Sequence, residues 1–502
     1  MRKYRKILRN RKARIERRLD SRKRWSDQPK PMLSASNIHY EISSRSEAIT
    51  CGGIGAIHQM VGKIGLAEEI DRSLHLLKVH LPYHESDHVL NISYNTLMGG
   101  RTLEDIELRR QDAAFLSALG AQRIPDPTTA GDFTRRFKHP DQVETLMDCI
   151  NVSRQVVWEQ AGQTPFGFAL IDADGTLAPT SGRCKQGMEY SYTGIWGYHP
   201  LIVSLANTGE VLSLVNRPGC AVSHDGAAEK IDEAIALVSP YAKRICVRGD
   251  TAFSLTEHFD RWSDEVDFVF GMDAHEKLVG IAKGLPKRDW KRLKRKPKYQ
   301  VQTQERDRPK NVKDQIVRER EFKNIRLSAE HVAEFLYRPV KCEKDYWVVV
   351  NRKDVTVEKG QVQLFREYRY FFYITTLDDH TAAEVVELAN GRCNQENVIE
   401  QLKNGVNAMR MPVDNLLSNW AYMVMAALSW NLKAWFAMLV PNRRASERLL
   451  KMEFRNFLNT IIRIPCQIIR RGRRIIYRVL GYNSWLSDFF FTWERIRRLK
   501  PV

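Results

Sequence analysis

The segment FGFALIDADGT, at residues 166–176, is the most informative part of the sequence for the fold, because an apolar strand leads there directly into acidic residues. The run Phe166–Ile171 is rich in β-forming residues and predicts a buried strand. Strand alternation places Asp172 and Asp174 on one face and Ala173 on the other. Either aspartate can therefore reach a site at the end of the strand, and the sequence leaves open which of them does so.

Two further segments supply charged residues for the same site. The segment RICVRGDTAF predicts a short strand, Arg244–Arg248, that ends at Asp250. Far downstream comes the run RCNQENVIEQLK, in which Arg392, Glu396 and Lys403 are spaced four and seven apart. On a helix, that spacing places the three side chains on one face.

Carboxylates at two strand ends and on a late helix are what a two-metal phosphoryl-transfer site requires. Bringing such acids within about 4 Å of one another costs on the order of 4 kcal/mol per pair at an effective dielectric of 20. Divalent cations remove that cost, so the pattern predicts metal binding, with Glu400 as the alternative to Glu396. Each residue alone has a simpler explanation, since an aspartate at a strand end is usually a turn former and Arg392/Glu396 is an ordinary helical pair. The joint pattern on a basic chain favours the site.

The chain of 502 residues carries a net charge of +19, concentrated in three segments. Residues 1–30 and 441–502 each have a net charge of +11, residues 283–300 have +8, and the remainder is net −11. Such clustering indicates a surface that faces nucleic-acid phosphates, and solubilising tails are the alternative. The length predicts roughly two to four domains.

Three features predict a cytoplasmic protein without a membrane partner. The eight cysteines are scattered singly without a C-x2-C pair, which favours reduced thiols over a zinc site or a disulfide frame. The basic N-terminus lacks the apolar segment of a secretory signal. The apolar run 420–440 contains Asn431 and Lys433, so we expect a buried helix rather than a membrane span.

The N-terminal part of the chain predicts a basic arm at residues 1–50 and a helical DNA-binding domain at 51–155. The segment IPDPTTAGDFTRRFKHP within it resembles the end of a helix-turn-helix, with Thr129 and Asp132 as a capping box. A helix there could place Arg135 and Arg136 in a major groove. A short packing helix with solvated arginines is the alternative.

From residue 166 the predicted order is β, β, β, α, β, α, β, which fits an α/β class with a mixed sheet and flanking helices. We expect the first part of the core at 160–271 and a β-rich insertion at 272–365 that holds the basic run KRDWKRLKRKPKYQ. The second part of the core is expected at 366–445. The basic C-terminal region, 446–502, predicts a hairpin with R-R-G-R-R at its tip.

Together these motifs resemble bacterial insertion-sequence transposases of the DDE type, marked by Tyr-x2-Arg-x3-Glu-x6-Lys. Arg392, Glu396 and Lys403 match that register, while Ala389 stands at the tyrosine position. The resemblance also covers IDADGT, with Asp174 before Gly-Thr, GYHPLIV, TGEVLSLVNRPG, RGDTAF with Asp250, and IIRRGRRIIYRVL. It is closest to the branch with a long insertion between the second aspartate and the glutamate, here 145 residues.

The resemblance implies a ribonuclease H-like core in which Asp174, Asp250 and Glu396 hold two Mg²⁺ ions, with Mn²⁺ as a substitute. Arg392 and Lys403 would hold DNA phosphates near the scissile bond. The expected partner is double-stranded DNA, at terminal inverted repeats and at the target, bound by a homodimer in the bacterial nucleoid. Trp290 is a candidate to take up a flipped base, with packing of the insertion as the alternative.

Transposition is the first hypothesis, with cleavage at transposon ends and joining of the freed 3′ ends to target DNA. A catalytically inactive DNA-binding regulator is the second, and a structure-selective nuclease of the same fold is the third. The intact set of two aspartates and a glutamate favours an enzyme, because a pure DNA-binding protein has no need of it.

Overall fold

The computed structural model describes residues 2–20, 32, 35, 37–40, 46–162, 166–180, 182–295, 323–359 and 362–500. Parts of the predicted basic arm (21–30), of the basic run (296–300) and of the β-rich insertion (301–322) lie outside the described residues. The helices are α1 (Arg2–Arg18), α2 (Ile54–Lys63), α3 (Leu66–Ser73), α4 (Glu85–Leu97), α5 (Ile106–Arg110), α6 (Ala113–Leu119), α7 (Pro127–Thr134), α8 (Pro140–Ala161), α9 (Ala227–Val238), α10 (Phe259–Glu265), α11 (Glu276–Gly284), α12 (Ala382–Asn390), α13 (Cys393–Glu400), α14 (Leu416–Met438), α15 (Arg443–Leu450), α16 (Phe454–Phe457) and α17 (Leu486–Arg498). The strands are β1 (Glu47–Ile49), β2 (Ala169–Gly175), β3 (Ala178–Pro179), β4 (Glu189–Tyr190), β5 (Trp196–Tyr198), β6 (Leu201–Leu205), β7 (Glu210–Val215), β8 (Ile245–Gly249), β9 (Asp267–Met272), β10 (Lys291–Arg292), β11 (Lys323–Tyr337), β12 (Tyr346–Lys359), β13 (Val362–Thr375), β14 (Cys466–Arg471) and β15 (Arg474–Val479).

A large mixed sheet organises the described part of the chain, in the order β10-β11-β12-β13-β9-β8-β2-β6-β7. β2, β6 and β7 form an antiparallel meander, whereas β2, β8 and β9 run parallel. The elements predicted from residue 166 occur in the predicted order, but the short strands β3 and β4 were not predicted and the predicted strand 197–205 is divided into β5 and β6. Helix α9 has the expected limits. β6 and β8 consist entirely of buried residues, as expected for strands covered on both faces.

The predicted β-rich segment extends the core sheet. β13 pairs with β9 on one side and with β12 on the other, and β11 and β10 continue the sheet outward. The three long strands are longer than their apolar centres suggested, because the strand pairing continues through polar residues. The predicted domain limit at residue 365 lies inside β13.

Helix α14 is buried along almost its whole length and packs against α4, α8, α15 and β7. Asn431 and Lys433 of this helix both have hydrogen-bond partners. The Asn431 side chain bonds the backbone N–H and C=O of Val211, and Lys433 Nζ donates to the Leu450 carbonyl at 2.7 Å. The prediction of a buried helix is confirmed, and no helix within the described ranges has the length and apolar character to cross a bilayer.

The two ends of the chain meet in the fold. β1 pairs with β14, helix α17 packs on α2, and β14 and β15 form the predicted hairpin with its cationic tip. The predicted cap of α7 was wrong, since the N-cap is Asp126, whose carboxylate accepts from the Thr129 N–H at 2.9 Å. Pro127 then occupies the first helical position, where its missing N–H costs nothing.

Candidate active site

Asp174 and Asp250 meet at one edge of the sheet. Asp174 lies near the carboxyl end of β2, and Asp250 directly follows β8. These strands are parallel neighbours, so their carboxyl ends share an edge. The Arg392 guanidinium contacts both acids, with Nη1 3.2 Å from Asp174 Oδ2 and Nη2 3.6 Å from Asp250 Oδ2. Three residues predicted from distant parts of the sequence thus form one cluster.

Burial dominates the electrostatics of Asp174. It raises the pKa of that carboxyl to about 6, and repulsion from Asp250 adds to the rise while Arg392 opposes it. Arg392 Nη1 is buried and forms no hydrogen bond within the described structure, so its contact with Asp174 is an ion pair. Two adjacent carboxylates suit a hard divalent cation, and the guanidinium supplies positive charge at the same place.

Asp172 lies on the same face of β2 as Asp174, but another side chain holds it. It is fully buried, and both its oxygens accept hydrogen bonds from Arg248, at 2.7 and 2.8 Å. Arg248 also donates to the Leu388 carbonyl and so ties β8 to helix α12. Asp172 therefore has a structural partner, whereas Asp174 is open to the site.

Helix α13 is tied to the strands β2 and β6 near the two aspartates. Gln395 anchors it from a fully buried position, since its Nε2 donates to the backbone carbonyls of Asp172 and Ile202 at 3.1 and 3.2 Å. Glu396 is exposed on this helix, about 6 Å along the axis from Arg392. Within the described residues, no three Asp, Glu, His or Cys side chains lie close enough to hold a metal ion. Metal binding by Glu396, or by Glu400 in its place, therefore stays a prediction.

Lys403 completes the positive side of the site. It lies in a π-helical turn, Gln401–Gly405, that continues α13. Burial lowers its pKa, while the nearby charges of Glu400 and Asp174 favour its protonated form. Arg392, at the N-cap of α13, and Lys403, in the turn that follows this helix, both interact electrostatically with Asp174. That they share one face with Glu396 stays a prediction.

Two of the three remaining residues predicted to contact DNA, Trp290 and Arg135, already contact other side chains of the protein. The Arg352 guanidinium lies 3.9 Å from the ring centroid of Trp290 and covers one face of it, which agrees with the packing alternative. Arg135 forms ion pairs with Asp414 and Asp132, at 3.0 and 3.1 Å, and lies just after the end of α7. Arg136 is exposed. DNA contacts by these three residues stay predictions.

His199 and Arg217 were not singled out in the sequence, yet they line the backbone next to Asp174. A side chain at Gly175 would meet His199 Nε2 at 2.9 Å and Arg217 Nη2 at 3.3 Å, so glycine allows this close approach. Arg217 donates to the carbonyls of His199, Val222, Ser223 and Asp225. The sequence could not reveal this role of Arg217, because local sequence does not distinguish a buried arginine that donates to backbone carbonyls from an arginine on the surface.

One protein family accounts for most of the chain. Residues 36–501 match the family described as Transposase DDE domain group 1. The chain belongs to this family of DDE transposases. No curated protein matches it at a significant level. Family membership confirms the sequence resemblance in its broad form, whereas the Tyr-x2-Arg-x3-Glu-x6-Lys signature and a bacterial origin stay predictions.

A transposase of solved structure shows a weak similarity to this chain. The chain is similar to the piggyBac transposase in the cryo-EM structure of its synaptic complex with hairpin DNA, at 11% sequence identity and a TM-score of 0.36. The alignment covers 83% of this chain and 84% of that one. The chain is assigned to the DDE transposases because its sequence matches that family. The structural similarity is too weak to assign roles to residues of the site.

Proposed function

We propose that the protein is a metal-dependent transposase that cleaves DNA at transposon ends and joins the 3′ ends to target DNA. The observation that carries the proposal is the meeting of Asp174 and Asp250 at the carboxyl edge of parallel strands, with Arg392 between them. Membership of the DDE transposase family gives this cluster its chemical context.

The order of the central strands supports a ribonuclease H-like core. β7, β6 and β2 form an antiparallel meander, and β8 and β9 continue from β2 in parallel. Asp174 lies in β2 of this five-stranded part and Asp250 directly follows β8. Arg392, at the N-cap of α13, contacts both.

Asp174 and Asp250 would hold one divalent ion, Mg²⁺ or Mn²⁺, and Glu396 would complete the ligands of a second. Such ions activate the attacking oxygen and stabilise the leaving 3′-oxygen of a phosphodiester. Arg392 and Lys403 would bind the phosphates beside the scissile bond, the first through its planar fork and the second as a point charge. The positive charges of Arg392 and Lys403, which interact with Asp174 in this structure, would then interact with DNA phosphates.

Double-stranded DNA is the proposed partner, at the terminal repeats and at the target, and a homodimer would hold paired ends. The net charge of +19 and its clustering support a phosphate-binding surface. A location in the bacterial nucleoid follows from this partner and is part of the proposal.

The test of function is Mg²⁺-dependent nicking of duplexes that carry the repeats flanking the coding region. Asp250→Ala is expected to abolish nicking and joining. Asp264→Ala is the matched control, because Asp264 pairs with Lys344 on the exposed surface just before β9, at the opposite end of the parallel strands. Binding without nicking by the wild-type protein would indicate a regulator, and nicking without joined products would indicate a nuclease.

The third acid is tested by a matched pair on one helix. Glu396→Gln is expected to reduce nicking at least about 100-fold with little change in DNA affinity, because one carboxamide replaces one metal ligand. Glu400→Gln, one turn further along α13, is expected to retain most of the activity. The reverse ranking would assign the third ligand to Glu400.

A further inference from the structure

Helix α1 is held against the C-terminal part of the chain. The Tyr4 ring stacks on Phe490 of α17 with centroids 5.1 Å apart and an interplanar angle of 8°. Arg11 Nη1 donates to the carbonyls of Val479 and Gly481, at 3.1 and 2.8 Å. These contacts join positions more than 460 residues apart in sequence.

The two sides of α1 differ in character. Leu8, Arg11 and Ile15 are half-buried and recur at the spacing of one helical face. Ile7 and Leu19, which could have joined that stripe, are instead 48% and 74% exposed. The solvent side carries the exposed cations Arg5, Lys6, Arg9, Lys12, Arg14, Arg17 and Arg18. The docked face is therefore narrow, and the cationic face is left for another partner.

The fold places this helix beside other cations. A cleft of about 850 Å³ is lined by Tyr4 and Phe490 and also by Arg473, Arg474 and Arg497. Arg473 and Arg474 belong to the exposed tip of the β14–β15 hairpin, and Arg497 is exposed near the end of α17. Two basic segments from opposite ends of the sequence thus become neighbours.

This arrangement argues against a solubilising tail. Holding a cationic helix next to other cations costs repulsion, which a freely moving tail would avoid. A polyanion removes that cost and gains counterion release. A helix of 17 residues is about 25 Å long, which matches roughly seven base-pair steps of duplex DNA.

We propose that α1, the β14–β15 tip and the end of α17 form one surface that binds the phosphate backbone of duplex DNA. Tyr4 and Arg11 are its positioning residues, since they hold α1 against the other two elements. The choice of DNA as the partner rests on the proposed function, but the surface uses none of the residues proposed for catalysis.

The test measures binding of the full-length protein to a fluorescent duplex of arbitrary sequence, with chelator present, over a range of salt concentrations. Arg473→Ala/Arg474→Ala is expected to lower affinity about 10-fold or more and to reduce the slope of log affinity against log salt by about 2. Lys341→Ala/Lys344→Ala removes the same charge from exposed lysines already paired with Glu257 and Asp264 and is expected to change little.

Tyr4→Ala tests the composite nature of the surface, because it changes no charge. It is expected to weaken binding several-fold, whereas Tyr4→Phe keeps the stacked ring and should bind as wild type does. Wild-type affinity in both Tyr4→Ala and the hairpin variant would overturn the proposal. Loss of binding in these variants without any Mg²⁺-dependent nicking in the wild type would keep the surface and reject transposition. Mg²⁺-dependent nicking by the wild type together with normal binding by these variants would support transposition and reject the surface.

Discussion

Among single residues, the site balances the largely buried carboxylate of Asp174 and the more exposed carboxylate of Asp250 against the guanidinium of Arg392. Asp174 is the more buried acid, and its pKa is raised because water is excluded and Asp250 is near. Arg392 offsets part of that cost without forming a hydrogen bond through Nη1. Such an arrangement stores unfavourable charge at a site where a ligand can relieve it.

The unfavourable charge on Asp174 should make the free energy of unfolding of the metal-free protein depend on pH. Asp174 titrates near pH 6 when folded and near 3.8 when unfolded, so the folded state binds more protons between these values and stability falls as pH rises through them. Asp174→Asn removes the ionised form. We expect it to raise the free energy of unfolding at pH 8 by up to about 3 kcal/mol, with a smaller gain at pH 4. Denaturant titrations in chelator measure both values, and an equal effect at the two pH values would contradict the assignment.

At the scale of elements, α14 shows how a helix with polar residues can be fully buried. The Asn431 side-chain amide accepts a hydrogen bond from the Val211 N–H in β7 and donates one to the Val211 carbonyl. Lys433 points to the carboxyl end of α15 and lies 3.9 Å from the Trp430 ring centroid. A cation at that end of a helix meets the negative end of its dipole, which explains why a lysine is tolerated there.

Lys433 predicts a second pH dependence, of opposite sign. Burial lowers its pKa to about 7 from 10.5, so between these values the unfolded chain binds more protons and stability rises with pH. We expect a rise of up to about 1.4 kcal/mol per pH unit from this residue. Lys433→Met should lack that rise. Urea midpoints of both proteins at pH 7 and pH 9.5 measure it, and parallel pH profiles would show that Lys433 keeps an ordinary pKa.

At the scale of the whole molecule, a buried polar cluster joins the helical region to the sheet. Glu210 at the start of β7 accepts hydrogen bonds from Arg154 and Trp158 of α8, Trp435 of α14, and Thr208. Arg154 and Glu210 are both fully buried. The cluster links elements from three parts of the sequence, so we expect the helices and the sheet to unfold together.

Glu210→Gln tests that linkage. It leaves the Arg154 charge buried without its carboxylate, which is expected to cost about 3–5 kcal/mol while a single melting transition is retained. Glu229→Gln, at an exposed position of α9, should cost less than about 0.5 kcal/mol. Adding Arg154→Met to Glu210→Gln should recover part of the loss. Two separate transitions in the wild-type protein would show that the regions fold independently.

Local sequence was enough to predict the apolar runs that lead into Asp174 and Asp250, the helical spacing of Arg392 and Lys403, the buried character of α14 and the hairpin with its arginine tip. These properties depend on local periodicity and on burial, which a single chain displays. Only the tertiary structure decided that Asp172 pairs with Arg248, that the β-rich segment joins the core sheet, that Arg392 lies between the two aspartates, and that α1 docks beside the C-terminal arginines. Those outcomes depend on contacts between residues tens to hundreds of positions apart, and local sequence carries no record of which distant charge will become a neighbour.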